Sequence, residues 1–369
     1  MPGLDTTRPK NSAGADCFVL SKFDFYQYFC PRTAIFLRYS IIVLFAVLAL
    51  SAAGDADSRE IQSTPPVASA PASPSSPQQS PPENSQPNGT FVIRKDVDEV
   101  VLHATVIDDK ERIVTNLTKS DFTVFEDGKP QTIISFHHED IPVAMGILID
   151  NSGSMREKRA KVNAAALNLV RSSNPQDEVF VVNFNDEYYL DQDFTNDLLK
   201  LKDALDKIDA RGGTALYEAL VASADNFKNA RLEQKVLFVV TDGEDNASRE
   251  TLEQCVKQLQ QEGGPSVYAI GLLGDEEHPK RAKRALEIIA ERTGGIAFFP
   301  KTLDEADEIS RQVAHDIRNQ YTIGYKPTTP KSAGGFRTIR VEAKAKGHGK
   351  MTVRTKSGYY AGGPASGKK

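Results

Sequence analysis

Only three of the 369 residues are cysteine: Cys17, Cys30 and Cys255. They have neither the spacing of a zinc site nor the number for a disulfide framework. Cys17 and Cys30 precede an apolar segment, and if that segment is cleaved Cys255 stands alone. Cys255 falls on the apolar face of a predicted helix and reads as a small buried hydrophobe. No P-loop pattern and no GxSxG elbow occurs, which removes two common routes to nucleotide and acyl chemistry. Histidine is scarce as well. The six are His103, His137, His138, His278, His315 and His348, and none neighbours in sequence the polar clusters described below. No nucleophile–base pair can therefore be read off the chain. His137 and His138 are adjacent, so on a strand they face opposite sides, and a domain junction is the better reading than a shared metal.

Net charge is also small, at -5, but its distribution is uneven. From Pro142 to Gln320 there are 22 Lys/Arg against 31 Asp/Glu. An acidic middle argues against nucleic acid as the ligand and is compatible with cations. From Lys326 to Lys369 there are 11 Lys/Arg against one acid, Glu342, which reads as solvated basic strands.

The leader, residues 1–54, carries the apolar core IIVLFAVLALSAA at 41–53, with Arg32 and Arg38 before it and small residues at its end. That is the layout of a secretory signal. No cysteine follows, which argues against a lipoprotein anchor. Counted from Ala34, the segment to Ala53 is 20 residues long with one Arg in it. Such a length just spans a bilayer, so membrane anchoring through 34–53 is the alternative. Either way the expected location is extracytoplasmic: secreted, periplasmic, cell-surface or signal-anchored. Residues 55–90 form a linker whose stretch Ser63–Asn88 holds eight prolines in 26 residues. It lacks the apolar residues to build a core and should stay extended.

Three folded regions follow. Residues 91–141 are β-like: VDEVVLHATVID, DFTVFEDG and QTIISFHH alternate with period two, split by turns at Asp108-Asp109-Lys110 and Glu126-Asp127-Gly128-Lys129. Residues 142–320 alternate strand and helix. The strand signals AMGILID, EVFVVNF, KVLFVVTD, SVYAIGLL and GIAFFP are apolar throughout. The helical signals fall near 157–172, 197–208, 215–229, 251–261, 280–293 and 303–320. Strands apolar on both faces predict an α/β fold with a doubly wound, mostly parallel six-stranded sheet and helices on each side. YYLDQDFT would be its antiparallel edge strand, with Tyr188-Tyr189 in core or edge packing, as for Phe298-Phe299. Residues 321–361 are β-like again, and 362–369 form a tail. Neither β flank is long enough to stand alone, so we expect the two to pair into one sandwich-like domain with the α/β unit inserted between them.

In open α/β sheets ligands sit outside the carboxyl ends of the strands. Three polar clusters fall there: Asp150-Asn151-Ser152-Gly153-Ser154, Gly212-Gly213-Thr214 and Thr241-Asp242-Gly243. Each has a local explanation. Asp150 and Ser152 could cap the helix near Glu157, Thr214 could cap the helix at Ala215, and the third could be a plain turn. Together they offer two carboxylates and three hydroxyls. These are hard oxygen donors suited to Mg²⁺ or Mn²⁺, with no soft ligand among them. Asp186, Glu187, Glu244 and Asp245 lie near the same edge and read as solvated loop acids. Asn151 and Met155 are expected to border the site.

The pattern Asp150-x-Ser152-x-Ser154, Thr214 after a Gly pair, and Asp242 in Thr-Asp-Gly resembles the metal-ion-dependent adhesion site of the von Willebrand factor A family. The resemblance covers about residues 142–320. The flanks look like those of bacterial exported proteins related to this domain. The resemblance implies that Ser152, Ser154 and Thr214 supply hydroxyl oxygens and that Asp150 and Asp242 bind directly or through water. It also implies an open coordination position for an Asp or Glu side chain of a partner protein. A mobile last helix, here 303–320, couples to ligand state in some members. The expected function is an exported, non-enzymatic, metal-dependent protein-binding module for adhesion or assembly. A structural or regulatory envelope component with a dispensable metal is the alternative. A metal-dependent hydrolase ranks last, because a hydrated cation beside carboxylates can activate water but no base accompanies it.

Overall fold

Period-two alternation becomes three strands: β1 (Val100–Ile107), β2 (Phe122–Glu126) and β3 (Lys129–His137). On β1 the buried side chains include Leu102, Ala104 and Val106. β2 and β3 form a hairpin with Glu126 opposite Lys129. The two residues between them, Asp127 and Gly128, have φ of 48° and 76°. Two positive φ values are what a tight hairpin turn of matching twist requires, and an Asp-Gly pair adopts them at little cost. The computed structural model describes residues 98–362, apart from 208 and 275–277. The leader, the linker and residues 363–369 lie outside the described residues. Among the described residues no helix is long and apolar enough to cross a membrane.

The alternating region follows as β4 (Ala144–Asp150), α1 (Arg159–Ser172), β5 (Glu178–Phe184), β6 (Tyr188–Thr195), α2 (Leu198–Leu205) and α3 (Leu216–Asn226). It continues as β7 (Lys235–Thr241), α4 (Leu252–Leu259), β8 (Ser266–Gly271), α5 (Pro279–Thr293), β9 (Ala297–Phe298) and α6 (Glu305–Arg318). The helix ends follow local chemistry. Asp197 caps α2 by accepting from the Leu199 and Lys200 amides. Thr251 and Gln254 cap α4 reciprocally, and α5 stops at Gly294 with φ 91°.

These strands form a mixed six-stranded sheet in the order β6-β5-β4-β7-β8-β9. Five run parallel, and β6 is antiparallel to β5 on the edge. Leaving β4, the chain goes outward to β5 and β6. It then returns to the other side of β4 for β7, β8 and β9. All seven residues of β4 are buried. Met145, Ile147 and Ile149 pack with α1, α2 and α6, while Ala144 and Leu148 pack with α3, α4 and α5. Apolar cover on both faces accounts for the unbroken hydrophobic runs. Tyr188 and Tyr189 take the edge placement rather than the core: they stand 52% and 43% exposed on the edge strand. An edge strand has no neighbour to cover its outer side. Phe298 and Phe299 are half-buried against the two cores.

The last region contributes β10 (Tyr321–Lys326), β11 (Gly335–Ala343), β12 (Thr352–Arg354) and β13 (Gly358–Ala361). The flanks do pair, but not as a sandwich. They form one seven-stranded sheet in the order β12-β1-β10-β3-β2-β11-β13. β10 fits between β1 and β3, so strands from the two ends of the region interleave over β12-β1-β10-β3. Buried Glu126 accepts from the hydroxyls of Tyr325 at 2.5 Å and Tyr359 at 3.0 Å, which ties β2 to β10 and β13. His138 stacks on Tyr321 with ring centroids 4.4 Å apart, at the junction where the chain leaves this sheet for β4.

A buried polar network joins the two sheets. The Tyr268 hydroxyl of β8 donates to Asp316 of α6 at 2.5 Å, and Arg354 of β12 pairs with the other Asp316 oxygen. Gln320 donates to the Tyr268 hydroxyl at 3.0 Å and accepts from Gln234 at 2.9 Å. Buried groups of this kind are costly unless satisfied, so the network specifies one arrangement of α6 against both sheets.

Candidate functional site

β4 and β7 are parallel neighbours, so their carboxyl ends lie side by side. β4 ends on Asp150 and β7 ends on Thr241, directly before Asp242. Asp150 and Asp242 are both fully buried. One Asp150 oxygen accepts from the Ser152 amide at 2.8 Å, and the other accepts from the Thr241 hydroxyl at 2.6 Å. The Ser152 and Ser154 hydroxyls lie 3.2 Å apart, and Ser154 donates to Asp242 at 2.9 Å. Four of the five sequence-selected side chains therefore form one connected cluster. Ser154 is exposed, and it marks the solvent side.

Thr214 reaches this cluster through its backbone neighbours. The Gly153 amide donates to Gly212 O at 3.3 Å, and the Arg211 amide donates to Asn151 O at 3.0 Å. These bonds lay the 211–214 loop against the 151–153 loop. Among the described residues no hydrogen bond joins the Thr214 hydroxyl to the other four side chains. The glycines before it are needed. Gly212 has φ 72°, and a Cβ there would strike the Asp186 carboxylate. A Cβ on Gly213 would lie 2.6 Å from the Asn246 side-chain oxygen and 2.9 Å from Asp186. Asp186 accepts from the Gly213 amide at 2.8 Å, and Asn246 accepts from the Thr214 amide at 2.8 Å.

The local capping explanations do not hold. Ser152 precedes a single 3-10 turn, Gly153–Met155, and its side chain caps nothing. α1 begins only at Arg159, after Lys158. At α3 the residue before the first turn is Ala215, with no side-chain cap. The Tyr217 amide is instead satisfied by Asp245 at 2.9 Å, and Ser248 serves the Glu218 amide at 3.2 Å. Asp245 is therefore no solvated loop acid, and Asp186 is a loop brace. Glu244 pairs with Arg281 at 3.0 Å. Met155 is fully buried in the α1-side core and does not border the site. Asn151 is buried, and its side-chain oxygen has no hydrogen-bond partner.

Burial pushes the Asp150 carboxyl up to about 6, against its hydrogen bonds from Thr241 and Ser152, and the nearby Asp242 carboxylate adds to the rise. A cation close to Asp150 would oppose that rise by favouring its ionised form. Two residues that sequence reasoning missed answer part of this charge. Lys158 puts its ammonium 2.5 Å from Asp242. Arg159 is fully buried beneath, donating to Asn183 at 2.8 Å and to Leu205 O at 2.9 Å. Burial pulls its guanidinium down to about 10, and the charge of Asp150 acts the other way. The one signal for both lies in their spacing, four and five residues past Ser154 in the approach to α1.

Among the described residues no three His, Cys, Asp or Glu side chains gather as a metal group. Here only two carboxylates meet, and the remaining donors are hydroxyls. Such an all-oxygen set, with no soft donor in it, fits a hard divalent cation such as Mg²⁺ or Mn²⁺.

Residues 145–244 match the family described as von Willebrand factor type A domain. The match supports a domain of that family within the α/β unit. The span includes Asp150, Ser152, Ser154, Thr214 and Asp242. A von Willebrand factor type A protein from Catenulispora acidiphila is similar at 15% identity, over 72% of this chain and 75% of that one, with a TM-score of 0.43. The vWF domain of the type V pili tip protein Mfa5 from Porphyromonas gingivalis is 12% identical, over 48% of this chain and 97% of that one, with a TM-score of 0.40. An aerotolerance-related membrane protein from Bacteroides fragilis is 19% identical, over 47% and 98% respectively, with a TM-score of 0.40. No curated protein matches the chain.

Proposed function

We propose that this chain is an exported binding protein. Its type A domain holds Mg²⁺ or Mn²⁺ through Asp150, Ser152, Ser154, Thr214 and Asp242 and captures a carboxylate of a partner protein. The observation that carries this reading is the convergence of Asp150 and Asp242, both fully buried, with two serine hydroxyls at the ends of adjacent strands. Two carboxylates leave a divalent ion only neutralised, and hydroxyl donors add no further charge. When bound, such an ion supplies an open position for an anionic oxygen. The protein's own part is to fix the donors: Thr241 and the Ser152 amide orient Asp150, and Ser154 orients Asp242. Among the described residues no histidine is hydrogen-bonded to the Ser152 or Ser154 hydroxyl, so neither serine has the partner of an activated nucleophile, which is why binding is favoured over hydrolysis. An extracytoplasmic location belongs to the same proposal and rests on the leader.

The test is Mn²⁺ binding to the full chain, followed by paramagnetic resonance. The expected result is one site, lost in Asp150→Ala and in Asp242→Ala. Capture of a Glu-bearing peptide, but not its Gln counterpart, should then require Mg²⁺ or Mn²⁺ and vanish in chelator. A wild-type chain that binds no divalent ion sinks the proposal. The Lys158–Asp242 ion pair favours a second reading, a structural component with a dispensable metal. There the melting temperature and peptide capture would both be indifferent to Mg²⁺.

A further inference from the structure

Asp242 has no free oxygen in this structure. One accepts from Ser154 at 2.9 Å and the other holds the Lys158 ammonium at 2.5 Å. The Lys158 side chain is 19% exposed, whereas Asp242 is completely enclosed. Lys158 precedes α1 and makes no cap, so its flexible stem can swing to solvent without unwinding a helix turn. Its neighbour Arg159 has no such freedom: it is fully buried and bonded to Asn183 and Leu205. The cluster therefore carries one sealed positive charge and one that can leave.

We propose that Lys158 is a tethered counter-ion that occupies Asp242 in the metal-free site and is expelled to solvent when a divalent cation enters. This rests on the metal-binding reading above. The reasoning is charge and space. Asp242 cannot give the same oxygen to an ammonium and to a dication, and two cations crowded on one enclosed carboxylate repel strongly where water cannot screen them. Without metal, an enclosed unpaired carboxylate would be expensive, so Lys158 also protects the empty fold. The exchange makes metal affinity lower than the donor set alone would give. It turns the site into a two-state element: closed on Lys158, or loaded with Lys158 released.

The experiment acylates lysines of the full chain with an acetyl N-hydroxysuccinimide ester and reads Lys158 by peptide mass spectrometry. It is run in chelator and with saturating Mn²⁺. Lys158 should be shielded in chelator and labelled several-fold faster with Mn²⁺, while distant lysines such as Lys344 stay unchanged. Independently, Lys158→Met should bind Mn²⁺ about fivefold more tightly, the upper scale for removing a competing ion pair that touches solvent. Its melting temperature in chelator should fall. If Mn²⁺ binds the wild type and Lys158 labelling does not change, the exchange is wrong while the metal site stands. If neither wild type nor Lys158→Met binds Mn²⁺, both proposals fail. The labelling arm uses the wild-type chain and so does not depend on the variant folding.

Discussion

Thr241 Oγ1 lies 2.6 Å from Asp150 Oδ2 and donates to it, so the last residue of β7 fixes the carboxylate that ends β4. The same hydroxyl accepts from the Gly243 amide at 3.2 Å. Replacing Thr241 with Val keeps the shape and removes both bonds. A buried acceptor left short of a donor costs about 1–3 kcal/mol. The urea midpoint of Thr241→Val should drop accordingly with an unchanged m-value, and Mn²⁺ affinity should fall as Asp150 loses its orientation.

The Gly212-Gly213 loop is crowded by Asp186 and Asn246. Gly213→Ala places a methyl against both, and relief requires the loop to move away from the Ser152–Ser154 turn. Mn²⁺ binding should weaken more than global stability. If Asp186 is the obstacle, the loss should be smaller in an Asp186→Ala background, a coupling that a double-mutant cycle measures directly. Equal losses in both backgrounds would show that Asp186 is not the obstacle.

Gly146 sits mid-strand in β4, and a Cβ there would strike the Phe180 ring and come within 2.7 Å of Leu237 Cδ2. Gly146→Ala therefore overpacks the α3-side core, at a cost of about 1–3 kcal/mol. Calorimetry should show a lower melting temperature. The site residues lie four or more positions away, so the folded fraction should still bind Mn²⁺.

Burial, with the Lys356 ammonium nearby, holds the His103 imidazole down to about 4 from its ordinary 6.5. The unfolded chain then binds the extra proton first as pH falls. Stability contributed by neutral His103 is complete above about pH 6.5 and is lost on acidification toward pH 4. The loss is about 3 kcal/mol. His103→Gln cannot titrate, so its stability difference from the wild type should change across this window and be flat above it. Urea unfolding at half-unit pH steps checks the sign.

Strand and helix order in the α/β unit was legible because the apolar runs bury both faces, and that leaves little ambiguity of period. The 150/152/154, 214 and 242 pattern was legible because all five positions carry oxygen side chains, four of them at or just past the ends of β4 and β7 and Thr214 in the loop before α3. What escaped was long-range. Nothing in KVNAAAL or its approach says that Lys158 will meet a residue 84 positions later. Asp245 and Asn246 look like turn residues, and only the fold reveals that they brace Thr214 and α3. The flanking strands were seen to need each other. Their interleaving, with β10 between β1 and β3, follows from hydrogen-bond register that alternation does not encode.

That interleaving dictates an order of events at the ribosome. β1, β2 and β3 emerge first, yet the strand that fills the gap between β1 and β3 follows only after the whole α/β unit has been made. Until then β1 has no partner and both edges of the β2–β3 hairpin stand without neighbours, the condition under which chains pair with one another. The α/β unit holds its own two cores and can close early, carrying Gln320 and β10 back to the waiting edges. Ribosome release after Gln320 should thus yield a folded α/β unit bearing an open, self-associating hairpin. The four strands β10 to β13 act as the lock that ends the nascent chain's exposure.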